Sequence, residues 1–121
     1  MRKLISILAF IALISTQLNA QKAKESPEQR AAKQTEWMKQ ELSLSDQQLP
    51  KVAAINLKFV NIATEIRNSN LDEAQTKAKL KEVNRQRLQE LKQVLTPEQW
   101  DKFRALLKEK KQNQKQNQNQ K

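Results

Sequence analysis

The sequence predicts an all-α protein, a four-helix antiparallel bundle of hairpin-like connections, and three observations carry that prediction. Two six-residue stretches repeat one helix-start pattern: Leu44-Ser45-Asp46-Gln47-Gln48-Leu49 and Leu95-Thr96-Pro97-Glu98-Gln99-Trp100, 51 residues apart. Apolar residues between the two copies recur at steps of 3 and 4, the helical period, rather than at 2. The chain also lacks glycine, which tight primed strand-to-strand turns use for positive φ.

The first helix opens at Ser26-Pro27-Glu28-Gln29, where Ser26 is a helix cap and Pro27 takes the first helical position. It runs to about Leu42 and places Ala31, Thr35, Met38 and Leu42 on one side, with Trp37 off that stripe. A Met at this spacing is ordinarily core, although Met also suits adaptable binding surfaces. The second helix starts at Ser45. The Ser45 hydroxyl accepts from the backbone N–H three residues on, and Gln48 reaches back to the cap's own N–H, a capping box. Leu44 and Leu49 hold the two positions of a hydrophobic staple. Pro50 falls late in this first turn, where it removes one hydrogen bond and shifts or kinks the start. The helix ends near Asn68-Ser69-Asn70, residues that take the breaker role glycine would fill. The third helix runs from about Leu71 to Leu95. The fourth starts at Thr96, with the same box made by Gln99 and the same staple made by Leu95 and Trp100, and runs to about Lys110.

Helix two carries two apolar stripes. Val52, Ile55, Phe59, Ile62 and Ile66 step by 3, 4, 3 and 4 along one seam. Ala53, Leu57 and Val60 form a second set roughly 150° away on a 3.6-residue helix. Two neighbouring helices would account for both stripes; so would a dimer interface or a surface for other polypeptides. Helix three has one seam, Leu80, Leu88, Leu91 and Leu95, widened by Val83 and Val94. Beside it Lys81, Arg85 and Lys92 form a basic edge near Ala74 and Ala78. Such an edge is ordinarily a solvated face; as a site it would suit segments exposing acidic or apolar groups. Ala53, Leu57, Val60, Lys81, Arg85 and Lys92 are therefore the candidate polypeptide-binding residues.

The chain divides into four segments. Residues 1–20 read as a cleaved export signal: Arg2 and Lys3, an apolar run from Leu4 to Leu18, then Asn19-Ala20. That run is short of the roughly 20 residues a membrane-spanning helix needs, so no stable membrane insertion is expected after cleavage. Residues 21–26 form a flexible lead, 27–110 the helical domain, and 111–121 a Lys/Gln/Asn-rich tail without apolar residues, expected to be disordered. With no cysteine, an exported domain this small has no disulfide to stabilise it, which points to helix packing and self-association as a homodimer.

Composition narrows the function. Without His or Cys, imidazole general-base chemistry, thiol chemistry and nitrogen or sulfur metal sites are excluded, and no cofactor is expected. The carboxylates are scattered among lysines at helical spacing, the pattern of solvated partners rather than of a catalytic pair. An enzyme is not expected. The formal charge is +10, yet from Ser26 to Leu107 there are 14 basic and 11 acidic residues, so much of the excess lies on the chain ends. There is no tyrosine and no interleaving of basic with stacking aromatic residues, which argues against nucleic acid. The tail suits solubilisation or weak adhesion to anionic envelope surfaces.

The doubled motif resembles the hallmark of the periplasmic Spy/CpxP family, a repeated Leu-Thr-x-x-Gln in a small exported all-helical protein. Leu95-Thr96-Pro97-Glu98-Gln99 matches outright; Leu44-Ser45-Asp46-Gln47-Gln48 has Ser for Thr, which keeps the cap. The resemblance spans about Pro27 to Leu107. The surrounding wording, Ser-Pro-Glu-Gln-Arg and Ala-Ile-Asn-Leu-Lys-Phe, looks like a branch found in Bacteroidetes-type bacteria. It implies a curved antiparallel homodimer in the periplasm, an ATP-independent chaperone binding unfolded or misfolded envelope proteins. The alternative is a regulatory or adaptor protein docking one envelope partner such as a stress-sensor kinase. Metal binding by some members relies on His and does not carry over. Ser26, Ser45, Gln48, Thr96 and Gln99 are expected to be structural caps, not a site.

Overall fold

The computed structural model describes residues 24–120; the expected export signal, residues 1–20, and residues 21–23 of the expected flexible lead lie outside the described residues. Four helices follow in order: α1 (Pro27–Leu42), α2 (Gln48–Asn68), α3 (Glu73–Val94) and α4 (Pro97–Asn119). Among the described residues there is no strand, and no helix is long and apolar enough to cross a membrane. The all-α class and the four helices are as the sequence predicts.

Each helix begins where a side chain can accept from its free N–H groups. Ser26 caps α1 with a complete box: Gln29 N–H donates to Ser26 Oγ (3.1 Å), and Ser26 N–H donates to Gln29 Oε1 (2.9 Å). Thr96 and Gln99 do the same for α4 at 3.2 and 2.9 Å. The Ser45–Gln48 box also forms, at 3.1 and 3.0 Å, yet the regular helix begins only at Gln48. Pro50 explains the gap. Leu49 N–H donates to the Ser45 carbonyl (3.0 Å), but Pro50 has no N–H to offer the Asp46 carbonyl, so the unbroken ladder starts one step later. The cap of α3 is Asp72, whose carboxylate accepts from Gln75 N–H at 2.7 Å, so this helix starts two residues after Leu71. Ser43 ends α1 in the left-handed region, at φ 51°, a place glycine usually takes. Leu44 N–H, on the Lys39 carbonyl at 3.3 Å, closes the turn, and the Leu44 side chain packs on the core.

α2 is central. α1 and α3 both pack along it, and α4 docks on α1. The Arg30–Thr64 hydrogen bond (2.8 Å) ties α1 to one flank of α2, and the Lys58–Glu90 pair (2.9 Å) ties α3 to the other. α1 and α3 therefore lie on the two flanks of α2, and Leu57 of its second stripe stays exposed. α1 buries Ala31, Thr35, Met38 and Leu42, the predicted stripe. α2 buries Val52, Asn56 and Phe59, while Ile55, Ile62 and Ile66 are half-buried, so the deepest line runs one residue over from the predicted seam. On α3 only Leu91 is buried, followed by Leu95 just past its end; Leu80, Val83, Leu88 and Val94 are half-buried.

The core lies at the end where α1 finishes, α2 starts and α3 turns into α4. Met38, Leu42, Val52, Leu91 and Leu95 surround Phe103 of α4, which is wholly buried. Trp37 and Trp100 flank the Phe103 ring at 6.3 and 6.1 Å between centroids, tilted as aromatic pairs prefer. This accounts for Trp37 lying off the α1 stripe: it meets α4 rather than α2. Beyond Leu107, α4 continues to Asn119, where the sequence suggested a disordered tail from residue 111. Extending a formed helix adds one hydrogen bond per residue without a new nucleus, and Lys and Gln, with no Gly or Pro, allow it. These last turns are exposed throughout.

Candidate functional site

The doubled motif does more than start two helices. Gln48 Nε2 donates to Gln99 Oε1 (2.7 Å), and Gln99 Nε2 donates back to Gln48 Oε1 (3.0 Å). The second proton of each amide goes to a carbonyl at the end of the helix preceding the other copy: Gln48 to Val94 (3.1 Å), Gln99 to Leu42 (3.2 Å). Each oxygen also accepts from its own cap residue's N–H. Both amides thus use two donors and two acceptor positions, the full capacity of a glutamine. The two copies are one near-symmetric clasp that joins the ends of all four helices. The open recess beside it, about 500 Å³, is lined by these committed groups and by Ser43, Gln47, Lys51 and Gln93.

A second polar junction lies at mid-bundle. Asn56 is completely buried; its Nδ2 donates to Thr35 Oγ1 (3.0 Å) and approaches Met38 Sδ at 3.6 Å. Its Oδ1 accepts from both Nε and Nη2 of Arg87, at 3.1 and 3.0 Å. One side chain of α2 thereby holds α1 and α3 together. Burial pushes the Arg87 guanidinium below its usual pKa, since the charge has left water and meets an amide instead of a carboxylate.

On the side of this junction away from Phe103, a groove of about 330 Å³ runs between α1 and α3. Phe59, Val60, Ala63 and Arg67 of α2 form its floor, Arg30 and Gln34 one wall, and Leu80, Val83, Asn84 and Arg87 the other. The trough between α1 and α3 is thus closed by α4 at one end and open at the other. Three arginines and no carboxylate line it, and among the described residues none of the three makes a salt bridge. Arg30 Nη2 donates to Thr64 Oγ1, whereas Arg30 Nε is buried with no hydrogen-bond partner among the described residues.

The six residues proposed from sequence do not form one surface. Val60 lies in the groove floor. Ala53 is half-buried, and Leu57, 37% exposed, is the exposed large apolar side chain of the bundle. Lys81 is exposed. Arg85 is held by Glu82 through two hydrogen bonds (2.6 and 3.0 Å); these hold the Glu82 carboxyl below the usual carboxylate range and raise the guanidinium. Lys92 lies at the opposite end, 5.9 Å from the Trp100 ring, beside a recess of about 160 Å³. Arg30, Arg67 and Arg87 were not singled out from sequence. One signal was present: Asn56, four after Val52 and three before Phe59, is a polar residue on a buried line.

Among the described residues no group of three or more His, Cys, Asp or Glu side chains is placed to hold a metal ion. A family model described as a domain of unknown function (DUF4890) matches residues 16–103, most of the chain. No curated protein and no solved structure matches it.

Proposed function

The chain belongs to that family, and we propose that it is an ATP-independent, chaperone-like protein of the periplasm that holds unfolded or misfolded envelope polypeptides. The observation that carries the reading is the open half of the α1–α3 trough. It offers an apolar floor between basic walls, a surface that suits mixed apolar and acidic segments without a catalytic constellation. The net positive charge speeds encounter with acidic chains. The resemblance of the doubled motif to the Spy/CpxP hallmark supports the same class.

Purified mature protein is expected to suppress aggregation of several chemically denatured clients near one-to-one stoichiometry, without nucleotide. Absence of suppression across clients overturns the reading. A crosslinking pull-down that returns one dominant envelope protein favours the adaptor role instead. α1 and α3 flank α2 but leave Ala53 and Val60 half-buried and Leu57 exposed; the homodimer rests on the resemblance and on the lack of disulfides. Light scattering on a sizing column tests it, and a monomer at micromolar concentration removes it.

A further inference from the structure

The arginines of the open groove lack what arginines in such a place ordinarily have. A guanidinium taken out of water is normally paired with a carboxylate, because an uncompensated buried charge is strongly unfavourable. Here the Arg87 guanidinium meets the amide oxygen of Asn56 and that of Arg30 a threonine hydroxyl, while Arg30 Nε has no partner among the described residues. Elsewhere on the described bundle four cations pair with acids, Lys33 with Glu25, Lys58 with Glu90, Arg85 with Glu82 and Arg104 with Asp101, and the other lysines stand exposed in water. The groove is thus a local concentration of positive charge around an apolar floor of Phe59, Val60 and Ala63, and the wall beside Arg87 is apolar as well, through Leu80 and Val83.

We propose that this groove binds a small amphiphilic carboxylate, a medium-chain fatty acid, with its carboxylate accepting from the Arg30 and Arg87 guanidiniums and its chain lying on Phe59, Val60 and Ala63. Charge complementarity selects the anion, which accepts from the guanidinium N–H groups that Asn56 and Thr64 leave free. The volume, about 330 Å³, sits at the lower end of small-molecule sites and suits one short chain rather than a two-chain lipid. The inference does not depend on the chaperone reading: a protein that fails to suppress aggregation still binds the acid if the groove is a site.

The test is titration of the full mature chain with sodium decanoate below its micelle concentration, read by calorimetry and by the Arg Nε–Hε signals in NMR. One saturable site is expected, with decanol and decyltrimethylammonium binding far more weakly and the Arg30 and Arg87 signals moving first. Arg87→Gln, which keeps a donor for Asn56, and Arg30→Gln are each expected to weaken binding about ten- to a hundredfold. Ala63→Glu places a carboxylate in the groove from within; it is expected to abolish binding without lowering the melting temperature, and it decides the matter if an arginine variant fails to fold. Decanol binding as tightly as decanoate, unchanged affinity in folded Arg30→Gln and Arg87→Gln, or full binding by Ala63→Glu overturns the proposal. So does binding of an acidic-apolar peptide with no binding of decanoate.

Discussion

At the scale of single residues, the most consequential side chains are neutral amides. Gln48 and Gln99 each make every hydrogen bond an amide can make, so truncating either leaves helix-end carbonyls and the partner glutamine unsatisfied. Gln99→Ala is expected to destabilise by about 2–3 kcal/mol in urea melts. Adding Gln48→Ala should destabilise by less than the two single effects together, with a coupling of about 1 kcal/mol, because the shared pair is lost only once. Full additivity would mean that the two amides act independently. Asn56 carries a different burden, the half-buried Arg87 charge. Asn56→Leu is expected to lower stability by about 3 kcal/mol, and Asn56→Leu with Arg87→Met to recover most of it, since the charge that needed an acceptor has gone. A double variant as unstable as the sum of its parts would contradict this. On the surface, Arg85 depresses the pKa of Glu82. A depressed carboxyl stabilises the fold above its unfolded pKa, and that contribution is lost as pH falls through the folded value. NMR titration should therefore place the Glu82 midpoint below the ordinary carboxylate range, and Arg85→Gln should move it back up. Because both groups are exposed, thermal stability near neutrality should barely respond.

At the scale of elements, α2 and α4 show how little of a helix needs burial. The Ser45 box and the Pro50 gap together give α2 a capped first turn followed by a delayed ladder, a start that sequence alone leaves undecided between a shift and a kink. α4 is anchored over about two turns, by Trp100 and Phe103 and then Leu106 and Leu107. Phe103→Ala is expected to destabilise by about 3–5 kcal/mol, because the cavity it leaves is walled by helices already fixed by the clasp and cannot collapse well. The exposed end of the same helix is expected to behave oppositely. Deleting Gln112–Lys121 should reduce far-UV helix signal while changing stability by less than about 0.5 kcal/mol, as for surface changes away from packing. Amides there should exchange with solvent far faster than those near Phe103. A large loss of stability on truncation would mean that the helix end has a partner. The expectation of a disordered tail and the helix observed differ in structure but agree on burial, since that segment has no apolar residue to bury.

At the scale of the whole molecule, one trough between α1 and α3 is put to two uses. α4 closes its first half with Phe103, and the Asn56 junction marks the end of that packed region. The second half stays open with three arginines around an apolar floor, and both the polypeptide-holding function and the carboxylate site are proposed there. By itself the sequence determined the helices, their caps at Ser26, Ser45 and Thr96, the buried stripe of α1 and the absence of strand pairing. Those features follow from local rules: hydrogen bonds three or four residues apart and a period of 3.6. It did not determine that Gln48 and Gln99, 51 residues apart, meet; that Trp37 faces α4; or that Arg30, Arg67 and Arg87, from three different helices, line one groove. Those contacts depend on where rigid helices come to lie against each other, and no local spacing encodes that. Only tertiary packing turned two helix starts into a clasp, and only it gathered three arginines around one groove with no carboxylate among its lining residues.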